Sequence, residues 1–202
     1  MIIGFYVDEM NYRGVANQTY QLAFYNKKLL GNKSIIFYNK KNFRNKKDVV
    51  RKFKRKFIII GIKNFQEINN FKEKYKLDFL YTQKSGNKDS WYLKEIKTLV
   101  HAVYPQKISQ VHGHNYAYIS EWLSKNFSNR KVPSIPYMVE LHKTKNDLRK
   151  NLNIGKKQIV FGCHGGESSF DLTFAHDAIK KIVKIKKNIT FLFLNINKFY
   201  SH

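Results

Sequence analysis

The sequence predicts an α/β fold built on a parallel sheet, and three observations lead there. Short β-branched and aromatic runs alternate with longer segments of helical period. The apolar fraction of 43%, with 16 Phe and 13 Tyr in 202 residues, offsets the entropy of ordering a chain. Between the first two runs, Ala16, Tyr20, Ala23, Phe24 and Leu30 recur near helical spacing, and Gly31 or Asn32 supplies the stop, which makes one βαβ unit.

Eight strands are expected, at Ile2–Val7, Ser34–Tyr38, Phe57–Ile62, Leu77–Thr82, Thr98–Val103, Ala117–Ser120, Gln158–Gly162 and Thr190–Leu194. The segment Lys46–Phe57 reads as a basic amphipathic helix, with Val49, Val50, Phe53 and Phe57 on one face. Either it is an outer helix with solvated charges, or it docks on a membrane surface. Further helices are expected at Phe65–Tyr75, Glu121–Asn126 (with Trp122 and Leu123 as core) and Asn146–Leu152. Two of the three prolines fall in Val132–Pro136, a composition that suits a passage between domains. The expected division is therefore a first domain over 1–141 and the start of a second over 142–202. At 202 residues the chain is short for two complete α/β domains of about 100 to 200 residues each.

The formal charge of +24 invites a nucleic-acid reading, but it comes from 32 Lys against 6 Arg. Recognition of bases and phosphates leans on the planar, bidentate guanidinium, so specific nucleic-acid binding is disfavoured. Compositional drift and an anionic membrane surface stay open as explanations. The single Cys163 forms no internal disulfide, no Cys/His cluster has zinc spacing, and a reducing, cytoplasmic compartment fits. The N-terminal MIIGFYVDEM is too short an apolar run for a signal peptide, and no later run approaches membrane-spanning length. A soluble or peripheral protein is expected.

In an open parallel sheet, ligands bind outside the carboxyl ends of the strands. Strand one there runs into Asp8–Val15, strand four into Gln83-Lys84-Ser85-Gly86, strand five into His101 and the His112-Gly113-His114 loop, and strand six into Ser120-Glu121. The strand after the prolines runs into Gly162-Cys163-His164-Gly165-Gly166. All these loops are expected on one edge. The run IVFGCHGGESSFDLTFAHDAI reads as strand, glycine turn, cap and helix: Gly165 and Gly166 permit close backbone approach, and Ser169 or Asp171 can cap the helix. A phosphate at such a helix start meets free N–H groups, although a plain tight turn explains the same glycines. Neither GxGxxG nor GxxxxGK[ST] is present.

Arg13-Gly14-Val15, LLGNKSIIFY, LDFLYTQKSG, LVHAVY, HGHNYAYISEWL and FGCHGGESSFDLTFAHDAI together resemble, in that order, glycosyltransferases of the two-Rossmann-domain (GT-B) type, family 4, of bacterial and large-virus kind. The resemblance runs from residue 1 to about residue 195. It implies a Rossmann-like acceptor-side domain with helices on both faces, followed by the first β-α-β of a Rossmann-like donor domain. It also implies a nucleotide-sugar donor, a glycan, lipid or protein acceptor, no metal, and retention at the anomeric carbon.

On that resemblance Arg13, Gly14, Gly165 and Gly166 approach the donor phosphates, and His101 sits near the transferred sugar as the catalytic candidate. His112, His114, Ser120, Glu121 and His164 are candidate substrate contacts. Each has a plainer reading: a histidine satisfied in the sheet edge for His101, solvated turns for His112, His114 and His164, a helix cap for Ser120, and a surface arginine for Arg13. The family's second domain also carries a basic residue and two glutamates seven apart, with no counterpart here. The expectation is a truncated chain, inactive alone. The competing class is a non-catalytic basic module for an anionic membrane or nucleic acid.

Overall fold

The computed structural model describes residues 1–139, 146–165, 170, 172–194 and 196. The chain falls into two compact units, Met1–Leu141 and His142–His202.

The first unit is a six-stranded parallel sheet of β1 (Ile2–Val7), β2 (Lys33–Asn39), β3 (Ile58–Ile62), β4 (Phe79–Lys84), β5 (Lys97–Ala102) and β6 (Asn115–Tyr118). Its spatial order is β3-β2-β1-β4-β5-β6, the Rossmann-like order in which the chain reverses its direction of travel between β1 and β4. Alternation along the strands sorts side chains onto two faces. On one, Phe5, Val7, Ile36 and Tyr81 pack beneath α1 (Gly14–Leu30) and α2 (Lys47–Lys54), which supply Ala16, Ala23, Val49 and Phe53. On the other, Tyr6, Ile35, Phe37 and Leu80 meet a 3₁₀ segment, Phe65–Phe71, that runs into α3 (Lys72–Tyr75), and the loop carrying Leu93 and Ile96. Farther along that face, Val100, Ala102, Tyr116 and Tyr118 pack on Leu123 of α4 (Glu121–Ser128).

Local signals explain the boundaries. Helix α1 ends where Gly31 turns left-handed at φ 66° and its N–H closes on the last carbonyls. The Phe65 segment starts on a reciprocal cap: Asn64 Oδ1 accepts from the Glu67 N–H at 3.2 Å, and the Glu67 carboxylate accepts from the Lys63 N–H at 3.0 Å. Ser120 Oγ accepts from the Leu123 N–H at 3.2 Å, the expected cap of α4.

Four local expectations are corrected. Phe65–Tyr75 is mostly 3₁₀ rather than α-helical. Trp122 is exposed while Leu123 is buried, because α4 is short and turns only one stripe to the sheet. Residues 149–153 form turns, with the Leu152 N–H reaching Leu148 and Arg149 carbonyls, and 146–152 is not a helix. The proline segment belongs to the first unit: Val132 is in its core, the Tyr118 N–H donates to the Pro133 carbonyl, and the Ile135 N–H donates to the Tyr118 carbonyl. Proline tolerates such an edge position because its missing N–H is not asked to pair.

The second unit pairs β7 (Ile159–His164) with β8 (Ile189–Leu194) in parallel, joined through α5 (Thr173–Ile185). Phe161 stacks on Phe191 at 5.2 Å, and Phe170 meets Phe193 at 5.2 Å. Phe161, Phe174 and Ile185 are exposed. A two-stranded sheet and one helix have too little surface to bury their own apolar faces.

Candidate functional site

The reversal of strand order places the loops after β1 and β4 side by side at the carboxyl edge of the first sheet. The β1–α1 loop is held by a polar clamp from the loop after β2. Asp8 accepts from Tyr6 Oη at 2.9 Å, Asn39 Nδ2 at 3.1 Å and Asn42 Nδ2 at 3.1 Å. The Met10 N–H donates to Asn45 Oδ1 at 2.8 Å, and Arg44 binds Glu9 at 2.8 Å. Burial pushes the Glu9 carboxyl up, but hydrogen bonds from Arg44 and Asn11 and the charges of Arg44 and Arg13 outweigh it and hold it below its usual value.

This loop delivers Arg13 and Gly14. Arg13 is the N-cap of α1 without a side-chain cap; its N–H donates to Asn11 Oδ1 at 3.0 Å, and its guanidinium lies 3.6 Å from Glu9. Gly14 opens α1, and a Cβ there would meet nothing within 4 Å. Among the described residues, the start of α1 thus has no side-chain cap, and a side chain added at Gly14 would meet none of them.

His101 lies in β5 beside Gln83 of β4, on the α1 face, and is fully buried. Its Nδ1 is 2.6 Å from Tyr81 Oη and its Nε2 is 2.9 Å from the Ile135 carbonyl. A carbonyl only accepts, so Nε2 carries the proton and Nδ1 accepts from the tyrosine hydroxyl. Burial depresses the imidazole pKa, partly opposed by the Ile135 and Tyr118 backbone. With both nitrogens engaged and no exposure, the ring holds a neutral tautomer in place. It offers no nitrogen to a bound sugar in this arrangement, and these contacts are those of the plainer reading. Gln83, expected only as part of the loop after strand four and not as a site residue, is buried, and neither of its amide atoms has a hydrogen-bond partner among the described residues. A polar residue at the end of an apolar strand was the available signal.

The expectation that all unusual loops share one edge is overturned. His112 and His114 precede β6 and therefore lie toward its amino end. His114 is exposed; its N–H donates to the Thr98 carbonyl at 3.2 Å, and its Nδ1 accepts from the Thr98 N–H at 3.2 Å. His112 is buried on the opposite sheet face from α1, with Nδ1 donating to the Gln110 carbonyl at 2.7 Å and Nε2 3.8 Å from Asp89. Burial lowers its pKa. Asp89 is also the partner of Lys84, whose side chain is 4% exposed and whose pKa burial pulls down despite that pairing.

Ser120 is spent on capping α4, and Glu121 pairs with Arg130 at 2.8 Å, whose hydrogen bond lowers its pKa. In the second unit His164 ends β7 and is exposed, and the Gly165 N–H donates to the Leu194 carbonyl at 3.3 Å. Gly166, with the proposed caps Ser169 and Asp171, lies outside the described residues. Among the described residues no three His, Cys, Asp or Glu side chains converge to hold a metal, and no helix is long and apolar enough to cross a membrane.

No family model matches the chain, and no curated protein matches it.

Proposed function

We propose that this chain is part of a glycosyltransferase system, taking a nucleotide-sugar donor toward an acceptor, with retention the outcome favoured by the resemblance. The observation that carries the reading is the carboxyl edge at the strand-order reversal. A clamped loop there leads to a helix start at Gly14 without a side-chain cap among the described residues, and a buried Gln83 amide with no partner among them lies on the same sheet face. The ordered segments HGHNYAYISEWL and FGCHGGESSFD support the class. In this reading Gly14 and Arg13 attend phosphate, His101 positions the β5 end rather than touching sugar, and the second unit's Gly165 turn is a donor-phosphate candidate in its own right.

The test is a melting screen of the 202-residue chain against uridine, guanosine and adenosine diphosphate sugars. At ten times Kd a true donor adds about 1.4 kcal/mol, a rise of a few degrees. Gly14→Val should abolish the rise without lowering the basal melting point, since the added side chain meets open space. The reading fails if no donor shifts melting, or if the shift survives both Gly14→Val and Gly165→Val.

A further inference from the structure

We infer that the amino-terminal edge of the first unit's sheet is a docking surface for an anionic lipid bilayer. A cavity of 540 Å³ opens there, lined by Lys27, Lys33, Lys56, Lys74 and Lys76 over a floor that includes Phe57 and Tyr75. No acid lines it, and none of the five lysines is ion-paired with a described residue. The nearest acids in sequence are Glu73, which faces Lys72 at 3.9 Å, and Asp78, which accepts from the N–H of the lining residue Ile2 at 2.7 Å, so five lysines stand against at most two carboxylates. Five like charges around one concavity repel, and phosphates entering it relieve that repulsion.

The same edge carries exposed aliphatic side chains. Met1 before β1, Leu29 and Leu30 at the end of α1, and Ile58 at the start of β3 are 72%, 68%, 71% and 55% exposed. Their joint position follows from topology: parallel strands all start at this edge, and α1 runs back to it. Lysines beside aliphatic side chains suit the headgroup and acyl boundary of a bilayer. Nucleic acid would match the charge but leave Leu29 and Leu30 without a role. The basic helix α2 is not the surface, since Val49 and Phe53 are already buried against the sheet. The inference stands apart from sugar transfer, because it concerns the opposite edge.

The test is sedimentation of the full chain with phosphatidylglycerol–phosphatidylcholine vesicles at physiological salt. The variant K27Q/K33Q/K56Q/K74Q/K76Q should bind at least about tenfold more weakly. A control with the same charge loss, K40Q/K41Q/K107Q/K125Q/K131Q, should stay within about twofold, beyond what screened distant charges contribute. L29Q/L30Q, which leaves charge untouched, should weaken binding about threefold or more. Equal losses in the two lysine variants would reduce the effect to bulk charge and overturn the proposal. So would an unaffected L29Q/L30Q, or duplex DNA or tripolyphosphate binding to the five lysines more tightly than vesicles do. Should the quintuple variant melt early, L29Q/L30Q decides alone.

Discussion

The two edges of the first sheet put polar side chains to opposite uses. At the carboxyl edge Asp8, Glu9, Asn39, Asn42, Asn45 and Arg44 bind one another and the β1–α1 loop. At the amino edge five lysines surround a cavity, and none of them is ion-paired with a described residue. Mutual satisfaction of partly buried groups fixes a loop. Uncompensated exposed charge leaves a surface ready for something else. The first arrangement should therefore contribute to stability, and the second should not.

The largest expected effect sharpens the view of the carboxyl edge as a packed structure. Gly86, just past β4, sits at φ +105°, and a Cβ there would come within 2.6 Å of both Ala102 Cβ and Tyr116 Oη. Gly86→Ala should cost about 3 kcal/mol or more in denaturant unfolding, combining strain with a clash against a packed strand. A loss under about 1 kcal/mol would mean that this loop yields easily. Next comes Asp8→Ala, which strands the Tyr6 hydroxyl and two asparagine amides and should cost about 2 kcal/mol. The five amino-edge lysine substitutions, measured the same way, should change stability by no more than about 0.5 kcal/mol. Equal costs at the two edges would erase the contrast.

The smallest effect is the pH dependence. His101 and His112 are both held below the usual imidazole value by burial. The unfolded chain takes up protons as pH falls through about 6.5, while the folded chain resists them, so stability is full above that pH and declines below it. Urea unfolding from pH 7.5 down to 5 should show the decline, and His112→Asn should make it shallower. A flat profile in the wild-type chain would show that neither ring is as enclosed as its contacts indicate.

Much of this architecture was legible in the sequence. All eight strands occur at or within a few residues of their expected positions, because β-branched and aromatic runs bounded by polar loops carry the signal locally. Gly31 and Ser120 act at the ends where their residue types predicted. What depends on which neighbour a loop meets was not legible. Periodicity could not say that the apolar stripe of Lys46–Phe57 is consumed by the sheet. Nor could it say that His112 and His114 open a strand rather than close one, or that Pro133 pairs along β6. The site was readable only in outline: Gly14 was visible as a glycine at a helix start, whereas the asparagine clamp joins residues about 35 apart, and Gln83 gains interest only from the company its amide lacks.

One contact has a consequence for the way the chain leaves its first unit. The imidazole of His101 is fastened to the sheet through Tyr81 and to the proline segment through Ile135. It works as a rivet whose grip requires one nitrogen to give a hydrogen and the other to receive one. A second proton reverses the Tyr81 contact, so that Nδ1–H donates to Tyr81 Oη and the hydroxyl hydrogen loses its acceptor, and it places a charge in an enclosed site. Burial is what resists the charge, so the proton enters when the segment around Ile135 opens to water, and amide exchange in that segment should quicken with acid before exchange in the sheet does.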